Sequence, residues 1–295
     1  MIRQLLVASR PLSWVNTAFP FAAAYLLGAR PLDAREIVVL VIGAVFFLVP
    51  YNLAMYGIND VFDYESDLRN PRKGGVEGAV LDRRLHRATL VAAAALCIPF
   101  VIALVVLGTW PSWIVLAVSL FAVVAYSARG LRFKERPFLD SVTSSTHFVS
   151  PAVYGVALAG AVVTPGLVLV LVAFFLWGLA SHAFGAVQDV VPDREGGISS
   201  VATVIGARAT VRLAAVLYLL AGLLLVPLGW LLAWPFGLTA VLAIPYLAMV
   251  LPFRSVTDAE SGRANRGWRR FLAINYGVGF LVTLALIAYA LVSAG

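Results

Sequence analysis

Nine apolar stretches, each long enough to cross a membrane as a helix, occupy most of the chain. They cover residues 12–29, 37–58, 89–108, 112–128, 139–160, 166–187, 211–232, 236–253 and 271–292. A spanning helix needs about 20 residues, and this length favours helices over strands. We therefore predict an all-α integral membrane protein with nine transmembrane helices and a single transmembrane domain over residues 1–295. We interpret 12–29 as a first span rather than a cleaved signal.

The composition supports a membrane protein. Only 13% of the 295 residues are charged and 61% are hydrophobic, whereas soluble domains carry about 25% charged residues. This balance excludes a disordered tail, a secreted disulfide scaffold and an ordinary cytosolic enzyme. The single cysteine, Cys97, lies in an apolar run and is expected to be a small buried hydrophobe.

The basic residues are unevenly distributed among the loops. Of the 22 Lys and Arg residues, all but Arg30 and Arg35 lie in the N-terminal arm or at even-numbered loops. By the positive-inside rule we expect the N terminus and the loops 59–88 and 188–210 to be cytoplasmic, and the C terminus to lie outside the plasma membrane. The net charge of +7 then reflects topology, and nucleic-acid binding is not expected. Of the 15 acidic residues, 13 share the cytoplasmic side.

The second interhelical loop, residues 59–88 (loop two), carries side-chain oxygens at helical spacing. Asn59, Asp63 and Asp67 are four residues apart, so on a continuing helix they form one ridge with about 6 Å between neighbours. Asn52 extends this ridge inward. A single acidic loop is often only solvated, and loop two alone is equally consistent with that interpretation.

Loop six, residues 188–210, repeats the four-residue spacing with Asp189 and Asp193, although Pro192 makes a regular helix less certain. Both motifs follow an even-numbered span, four spans apart, which indicates a parallel internal repeat. If the two halves pack together, four carboxylates meet at one membrane edge and need neutralising cations. Oxygen ligands without Cys or His suit Mg²⁺, which binds carboxylates together with substrate phosphates. We predict two Mg²⁺ ions bridging a diphosphate.

Acidic residues off the ridge and several basic residues have simpler interpretations. Asp60 and Glu65 are expected to be solvated, and Arg83, Arg129 and Arg136 to set only the orientation in the membrane. Other cations near the motifs are candidates for stabilising the negative charge of a departing diphosphate. These candidates are Arg72, Lys73, Arg132, Lys134 and Arg194.

In these motifs the chain resembles the UbiA superfamily of intramembrane prenyltransferases. The matching residues are Asn59, Asp63 and Asp67, then Asp189 and Asp193, and the segment Tyr126-Ser127 followed by Arg132 and Lys134. The resemblance spans nearly the whole chain. It implies a nine-helix ring around a central lipid-open cavity, Mg²⁺-dependent ionisation of a prenyl diphosphate, and attack by an acceptor on the allylic cation. By position, the residues implied to hold metal are Asn59, Asp63, Asp67, Asp189 and Asp193, and those implied to contact the diphosphate are Arg72, Lys134 and Tyr126.

Within the superfamily, the segments 59–67 and 182–189 are most similar to bacterial lycopene elongases of C50 carotenoid synthesis. This similarity implies dimethylallyl diphosphate as the donor and lycopene as the acceptor. Quinone, haem and chlorophyll prenyltransferases share the metal motifs, so a quinone precursor or another aromatic or lipid acceptor remains an alternative.

An allylic cation needs surroundings that stabilise it without quenching it, and aromatic faces meet that need. The candidates are Tyr56, Phe62, Tyr154, Trp177 and Phe184, of which two or three are expected to face the cavity. His147 and Asn52 are further candidates for the acceptor pocket.

His182 lies seven residues before Asp189, so on a continuous helix it shares that face about 10 Å deeper. Asp140, Ser144 and His147 follow a similar spacing along span five. Because intramembrane ionisable groups generally mark sites, we predict that His182 accepts the proton lost after attack, or positions water. A neutral histidine bonded to a neighbouring helix is an equally good interpretation.

A transporter and a CDP-alcohol phosphotransferase are two other classes of membrane protein that fit part of this pattern. A transporter also holds buried polar groups, but near the bilayer midplane, whereas here the charges gather at one edge. A CDP-alcohol phosphotransferase is acidic and Mg²⁺-dependent, but its longer signature is not present in this sequence.

Overall fold

The computed structural model describes residues 2–29, 32–68 and 81–294, without the side chains of Ser66, Asp67 and Ala294. The described residues form helices and turns, with no strand among them. In chain order the α-helices are α1 (Ile2–Ala8), α2 (Val15–Gly28), α3 (Ala34–Leu48), α4 (Pro50–Phe62), α5 (Tyr64–Asp67), α6 (His86–Leu107), α7 (Trp110–Ser127), α8 (Leu139–Leu158), α9 (Pro165–Val187), α10 (Val190–Glu195), α11 (Val201–Ile205), α12 (Ala207–Leu223), α13 (Leu228–Leu231), α14 (Trp234–Gly237), α15 (Ile244–Val250) and α16 (Asn265–Ala294). The 3₁₀ turns are Pro11–Ser13, Arg83–Leu85, Phe133–Glu135, Leu238–Ala243, Leu251–Phe253 and Asp258–Ala264.

Within this part of the chain, seven helical segments are long and apolar enough to cross a membrane. They are Ala34–Phe62, Arg83–Leu107, Trp110–Ser127, Pro165–Val187, Ala207–Leu231, Trp234–Phe253 and Asp258–Ser293. Two predicted spans are not among them. In 12–29, α2 has only 14 residues, while α8 in 139–160 has 20 residues but is rich in Ser and Thr. The nine-span count and the ring therefore stay predictions.

The predicted helix over 37–58 is broken at Pro50, where α3 gives way to α4. Proline lacks the amide hydrogen that a continuous helix requires, but it fits the first turn of a new helix. The side-chain amide of Asn52 donates to the Phe47 carbonyl at 2.8 Å and to Thr17 Oγ1 at 2.7 Å. Asn52 is fully buried, so these contacts favour a role in stabilising the break over the predicted pocket role.

One compact unit comprises Met1–Phe133 and Thr146–Val162. Its core is aromatic, with the ring centroids of Phe21 and Phe47 5.2 Å apart. Gly43 allows α3 to pack closely on α2, because a Cβ there would lie 2.1 Å from the Phe21 ring. Cys97 is buried in this core, as expected.

The other unit comprises Lys134–Ser145 and Val163–Gly295. Tyr218 and Tyr246 stack in its core with ring centroids 5.0 Å apart. Close packing of α8 on α9 depends on Gly178, because a Cβ there would lie 2.3 Å from Ser145 Oγ. That hydroxyl donates to the Phe175 carbonyl at 2.7 Å, which holds the start of α8 against the middle of α9.

Candidate active site

The first acidic motif lies where α4 ends. The Asp63 amide donates to the Asn59 carbonyl at 2.9 Å, so the two residues are one helical turn apart, as their spacing predicts. Asp63 is 6% exposed and Asn59 is half-buried. A buried carboxylate at a helix end is costly unless a cation or donors approach it. The side chain of Asp67 lies outside the described residues.

The end of α7 and the residues directly after it meet this motif within the same unit. Ser127 Oγ donates to Asn59 Oδ1 at 2.9 Å. Arg132 Nη2 lies 4.0 Å from Asp63 Oδ1, and its Nη1 donates to the Phe62 carbonyl at 3.5 Å. Arg132 has a φ of 40°, in the left-handed region that disfavours a side chain. The fold therefore places a guanidinium beside the first motif despite local strain.

The second motif lies just beyond α9, in the other unit. The chain turns at Asp189 and continues into the short helix α10, which accommodates Pro192 in its first turn. The Asp193 amide donates to the Asp189 carbonyl at 2.8 Å. Both carboxylates are half-buried. The four-residue spacing again corresponds to one helical turn.

Arg194 has contacts that differ from the predicted contact with a diphosphate. Its Nη1 donates to Asp258 Oδ2 at 2.6 Å, and its Nε and Nη2 donate to the Thr203 carbonyl at 3.1 and 2.7 Å. Asp258 also accepts from the Ala207 amide at 2.7 Å. These bonds join α10 to α11 and, through Asp258, to the start of α12, and they favour a structural role for Arg194.

His182 approaches a carboxylate within its own unit. Its Nε2 lies 3.7 Å from Asp140 Oδ2, and Asp140 is fully buried. The Asp140 carboxylate also accepts from the amides of Ser141 and Val201, both at 2.8 Å. Backbone donors thus fix the carboxylate, and the carboxylate can orient the imidazole. The sequence placed Asp140 on a polar face of span five but did not pair it with His182.

The predicted aromatic pocket residues divide into packed and accessible groups. Tyr154 and Phe184 have no exposed surface and belong to the cores of their respective units, so their burial favours a packing role. One face of Tyr56 is covered by the Arg10 guanidinium, 4.3 Å from the ring centroid. Trp177 is half-buried and stacks on Phe271 with ring centroids 5.9 Å apart.

Three other predicted site residues are half-buried: Phe62, Tyr126 and Lys134. Phe62 is half-buried at the end of α4. Tyr126 is half-buried and meets His147 edge-on with ring centroids 5.2 Å apart. Lys134 is half-buried in the 3₁₀ turn Phe133–Glu135. Arg72 and Lys73, both predicted to bind diphosphate, lie outside the described residues.

The expectation that Asp60 is solvated is wrong. Its side chain is 1% exposed, and its Oδ1 accepts from Arg10 Nη2 at 2.9 Å. Sequence spacing placed Asp60 off the ligand ridge but could not reveal a partner 50 residues away. Glu65 is exposed as expected, in a surface ion pair with Arg83 at 2.7 Å.

The described residues contain no group of three or more His, Cys, Asp or Glu side chains that could hold a metal ion. Each unit instead offers two oxygen-bearing side chains one helical turn apart, and the side chain of Asp67 is not among the described ones. Such a donor set suits Mg²⁺, which commonly takes one or two carboxylates and completes its shell with water and phosphate oxygens.

Comparison with known proteins decides the family, because the model of the UbiA prenyltransferase family matches residues 17–275. The chain belongs to the UbiA prenyltransferase family. It is therefore a prenyltransferase with multiple membrane-type helices, and not the transporter or CDP-alcohol phosphotransferase considered above.

Two relatives of this UbiA prenyltransferase carry specific names. The lycopene elongase/hydratase of Corynebacterium glutamicum is 54% identical over 287 residues, 97% of each chain. The C(50) beta-cyclic carotenoids biosynthesis protein LbtBC of a Dietzia species is 56% identical over 292 residues, 99% of this chain but 66% of that protein. These names confirm the narrower resemblance to carotenoid enzymes.

A solved structure confirms the UbiA fold. The UbiA homologue from Archaeoglobus fulgidus, solved bound to DMAPP and Mg²⁺, superposes with a TM-score of 0.67 at 18% identity. The match covers 93% of this chain and 98% of that one.

Proposed function

We propose that this prenyltransferase moves a dimethylallyl group from its diphosphate to lycopene. The observation that carries the proposal is the 54% identity to a lycopene elongase/hydratase over almost the full length of both chains. A further support is that the Arg132 guanidinium lies 4.0 Å from the Asp63 carboxylate, with Asn59 one helical turn before Asp63 in the same unit. A proposed metal ligand and a cation side by side would suit a diphosphate. A quinone precursor or another aromatic or lipid acceptor is the alternative substrate.

The metal-binding groups would come from both motifs. Asn59, Asp63 and Asp67 would supply oxygens from the first, and Asp189 and Asp193 from the second, with two Mg²⁺ ions shared with the diphosphate. When bound, Mg²⁺ withdraws negative charge from the diphosphate oxygens and so favours cleavage of the allylic C–O bond. This arrangement requires the two motifs to face one another, which is part of the proposal.

The protein's own cations would stabilise the leaving group. Arg132 is held near Asp63 and the Phe62 carbonyl, so it is preorganised where negative charge develops. Lys134 and Tyr126, with Arg72 and Lys73, would contact the remaining diphosphate oxygens. When the C–O bond breaks, its electron pair leaves with the diphosphate and an allylic cation remains.

The acceptor double bond would then attack the cation, forming a C–C bond and moving the positive charge onto the acceptor. Trp177 and Phe62, which are half-buried, are the remaining aromatic candidates for lining this part of the chamber. His147 is 3% exposed, so its burial favours packing against Tyr126. Termination requires loss of a proton, either directly from the acceptor or from a water that has added to it. We assign this proton to His182, whose imidazole is oriented by Asp140.

The distribution of Lys and Arg residues among the loops supports the proposed orientation of the protein in the membrane. With the N terminus and the loops 59–88 and 188–210 in the cytoplasm of a plasma membrane, both acidic motifs would meet soluble Mg²⁺ and diphosphate. The hydrophobic acceptor would enter from the lipid.

Expression in a lycopene-accumulating bacterium tests the function directly. We expect pigments heavier than lycopene by one or two five-carbon units, with or without added water, and no such pigments with an Asp63→Asn/Asp189→Asn variant. Unchanged lycopene, together with prenylation of a quinone precursor by the purified protein, would replace lycopene with the alternative acceptor.

A further inference from the structure

A pocket of about 330 Å³ lies in the second unit, where the turn Leu251–Phe253 approaches the start of α16. One part of its wall is apolar and includes Met249, Phe253 and Val256. Another part of the wall carries the guanidinium groups of Arg263, Arg266 and Arg270. None of the lining residues belongs to the acidic motifs, so prenyl transfer leaves this pocket without a role.

Two positive charges in the pocket are not neutralised by any residue that the structure describes. Arg266 and Arg270 are four residues apart on α16, so they lie on the same face, and both are exposed. Within the described ranges neither has an acidic partner. The third guanidinium, that of Arg263, is paired with Glu260 at 2.8 Å. The pocket therefore has a net charge of two positive units.

The pocket is formed by helix packing. Gly267 lies between the two unpaired arginines, and a Cβ on it would be 2.7 Å from the Phe253 ring and 3.1 Å from the Met249 carbonyl. The glycine thus allows α16 to pack directly against the apolar wall. The cationic and apolar surfaces are consequently held side by side.

A phosphate group attached to an apolar chain complements such a surface. Guanidinium groups bind phosphate oxygens through paired hydrogen bonds, and basic pockets among membrane helices bind anionic lipid headgroups. We propose that this pocket binds one anionic phospholipid, its phosphate between Arg266 and Arg270 and the start of an acyl chain against Met249, Phe253 and Val256. The proposal holds whichever acceptor the enzyme uses.

Native mass spectrometry of the full-length protein, mixed with phosphatidylglycerol or phosphatidylcholine in detergent, tests the proposal. We expect wild type to retain one more phosphatidylglycerol than an Arg266→Gln/Arg270→Gln variant, and no such difference with phosphatidylcholine. The matched control, Arg208→Gln/Arg269→Gln, loses the same charge. Arg269 lies on the same helix segment but does not line the pocket, so the control should behave like wild type. Equal retention by both double variants would overturn the proposal.

A competition arm distinguishes a lipid from a free anion carrying the same phosphate chemistry. Excess inorganic diphosphate should leave the retained phosphatidylglycerol in place, because it has no chain to contact the apolar wall. Displacement by inorganic diphosphate would show a free-anion site and overturn the lipid assignment. If the double variant does not fold, the single variants Arg266→Gln and Arg270→Gln should each weaken phosphatidylglycerol binding about tenfold, and unchanged binding in both would contradict the proposal.

Discussion

Asp63 and Asp189 share the same backbone conformation, with φ and ψ of −96° and −2° at Asp63 and −99° and 0° at Asp189. Asp63 is the single residue between α4 and the short helix α5, and Asp189 directly precedes the short helix α10. These angles lie in the bridge region of the Ramachandran plot, between the helical and extended regions, which is sparsely populated. Its occurrence at the equivalent position of both motifs supports the predicted parallel repeat.

This equivalence predicts equivalent effects of substitution. Asp63→Asn and Asp189→Asn should each lower turnover by about 10²-fold or more, because each removes a charged oxygen ligand while preserving shape. Diphosphate release from dimethylallyl diphosphate in the presence of lycopene is the measurement. Glu65→Gln, at an exposed neighbouring acid, should retain activity. A variant at either aspartate with wild-type turnover would contradict the two-motif site.

Arg132 and Arg129 give a second matched pair. Arg132→Gln should raise the KM for the prenyl diphosphate about tenfold or more, because it removes a charge-assisted hydrogen bond to the substrate. Arg129 is exposed and is expected only to set orientation, so Arg129→Gln should leave the KM unchanged. Steady-state kinetics of the two variants measures the KM for the prenyl diphosphate. Equal changes in KM for both variants would remove Arg132 from the proposed diphosphate site.

The pair formed by Arg10 and Asp60 joins the segment ahead of α2 to the motif-bearing helix α4. Arg10→Met should lower stability by about 3 kcal/mol, because it leaves a buried charge without its guanidinium partner. Adding Asp60→Asn should restore part of the loss. Thermal unfolding in detergent of the two single variants and the double variant measures the coupling, and strictly additive losses would refute it.

The hydrogen bonds of Asn52 at the break between α3 and α4 predict that removing its side-chain amide destabilises the protein. Asn52→Leu should destabilise the protein by about 2 kcal/mol, because the Phe47 carbonyl and the Thr17 hydroxyl lose a donor. Thr89→Val is the control. Thr89 is fully buried, and its hydroxyl has no hydrogen-bond partner among the described residues. A smaller loss from Asn52→Leu than from Thr89→Val, by the same unfolding assay, would argue against this role.

His182→Phe should reduce the elongated pigment formed per diphosphate released, because ionisation of the donor does not require the imidazole but termination does. Asp140→Asn should lower the same ratio, since it weakens the group that orients the ring. A purely structural defect would slow the formation of elongated pigment and the release of diphosphate equally, and so would leave their ratio unchanged. His86→Phe, in the first unit, is the control and should keep the wild-type ratio.

The features that the sequence predicted well depend on local periodicity. The one-turn spacing of Asn59 with Asp63, and of Asp189 with Asp193, follows from helix geometry alone. Apolar runs of sufficient length also predicted an all-helical membrane protein. The break at Pro50 was missed, although a proline inside an apolar run is itself a signal for one.

Partners distant in sequence were decided only by the tertiary structure. Packing brings Arg10 to Asp60, His182 to Asp140 and Arg194 to Asp258, and none of these pairs has a characteristic spacing. The sequence determined which residues carry oxygen, charge or aromatic surface and how they lie along each helix. The structure decided which of them meet, because a buried polar group takes the partner that packing provides.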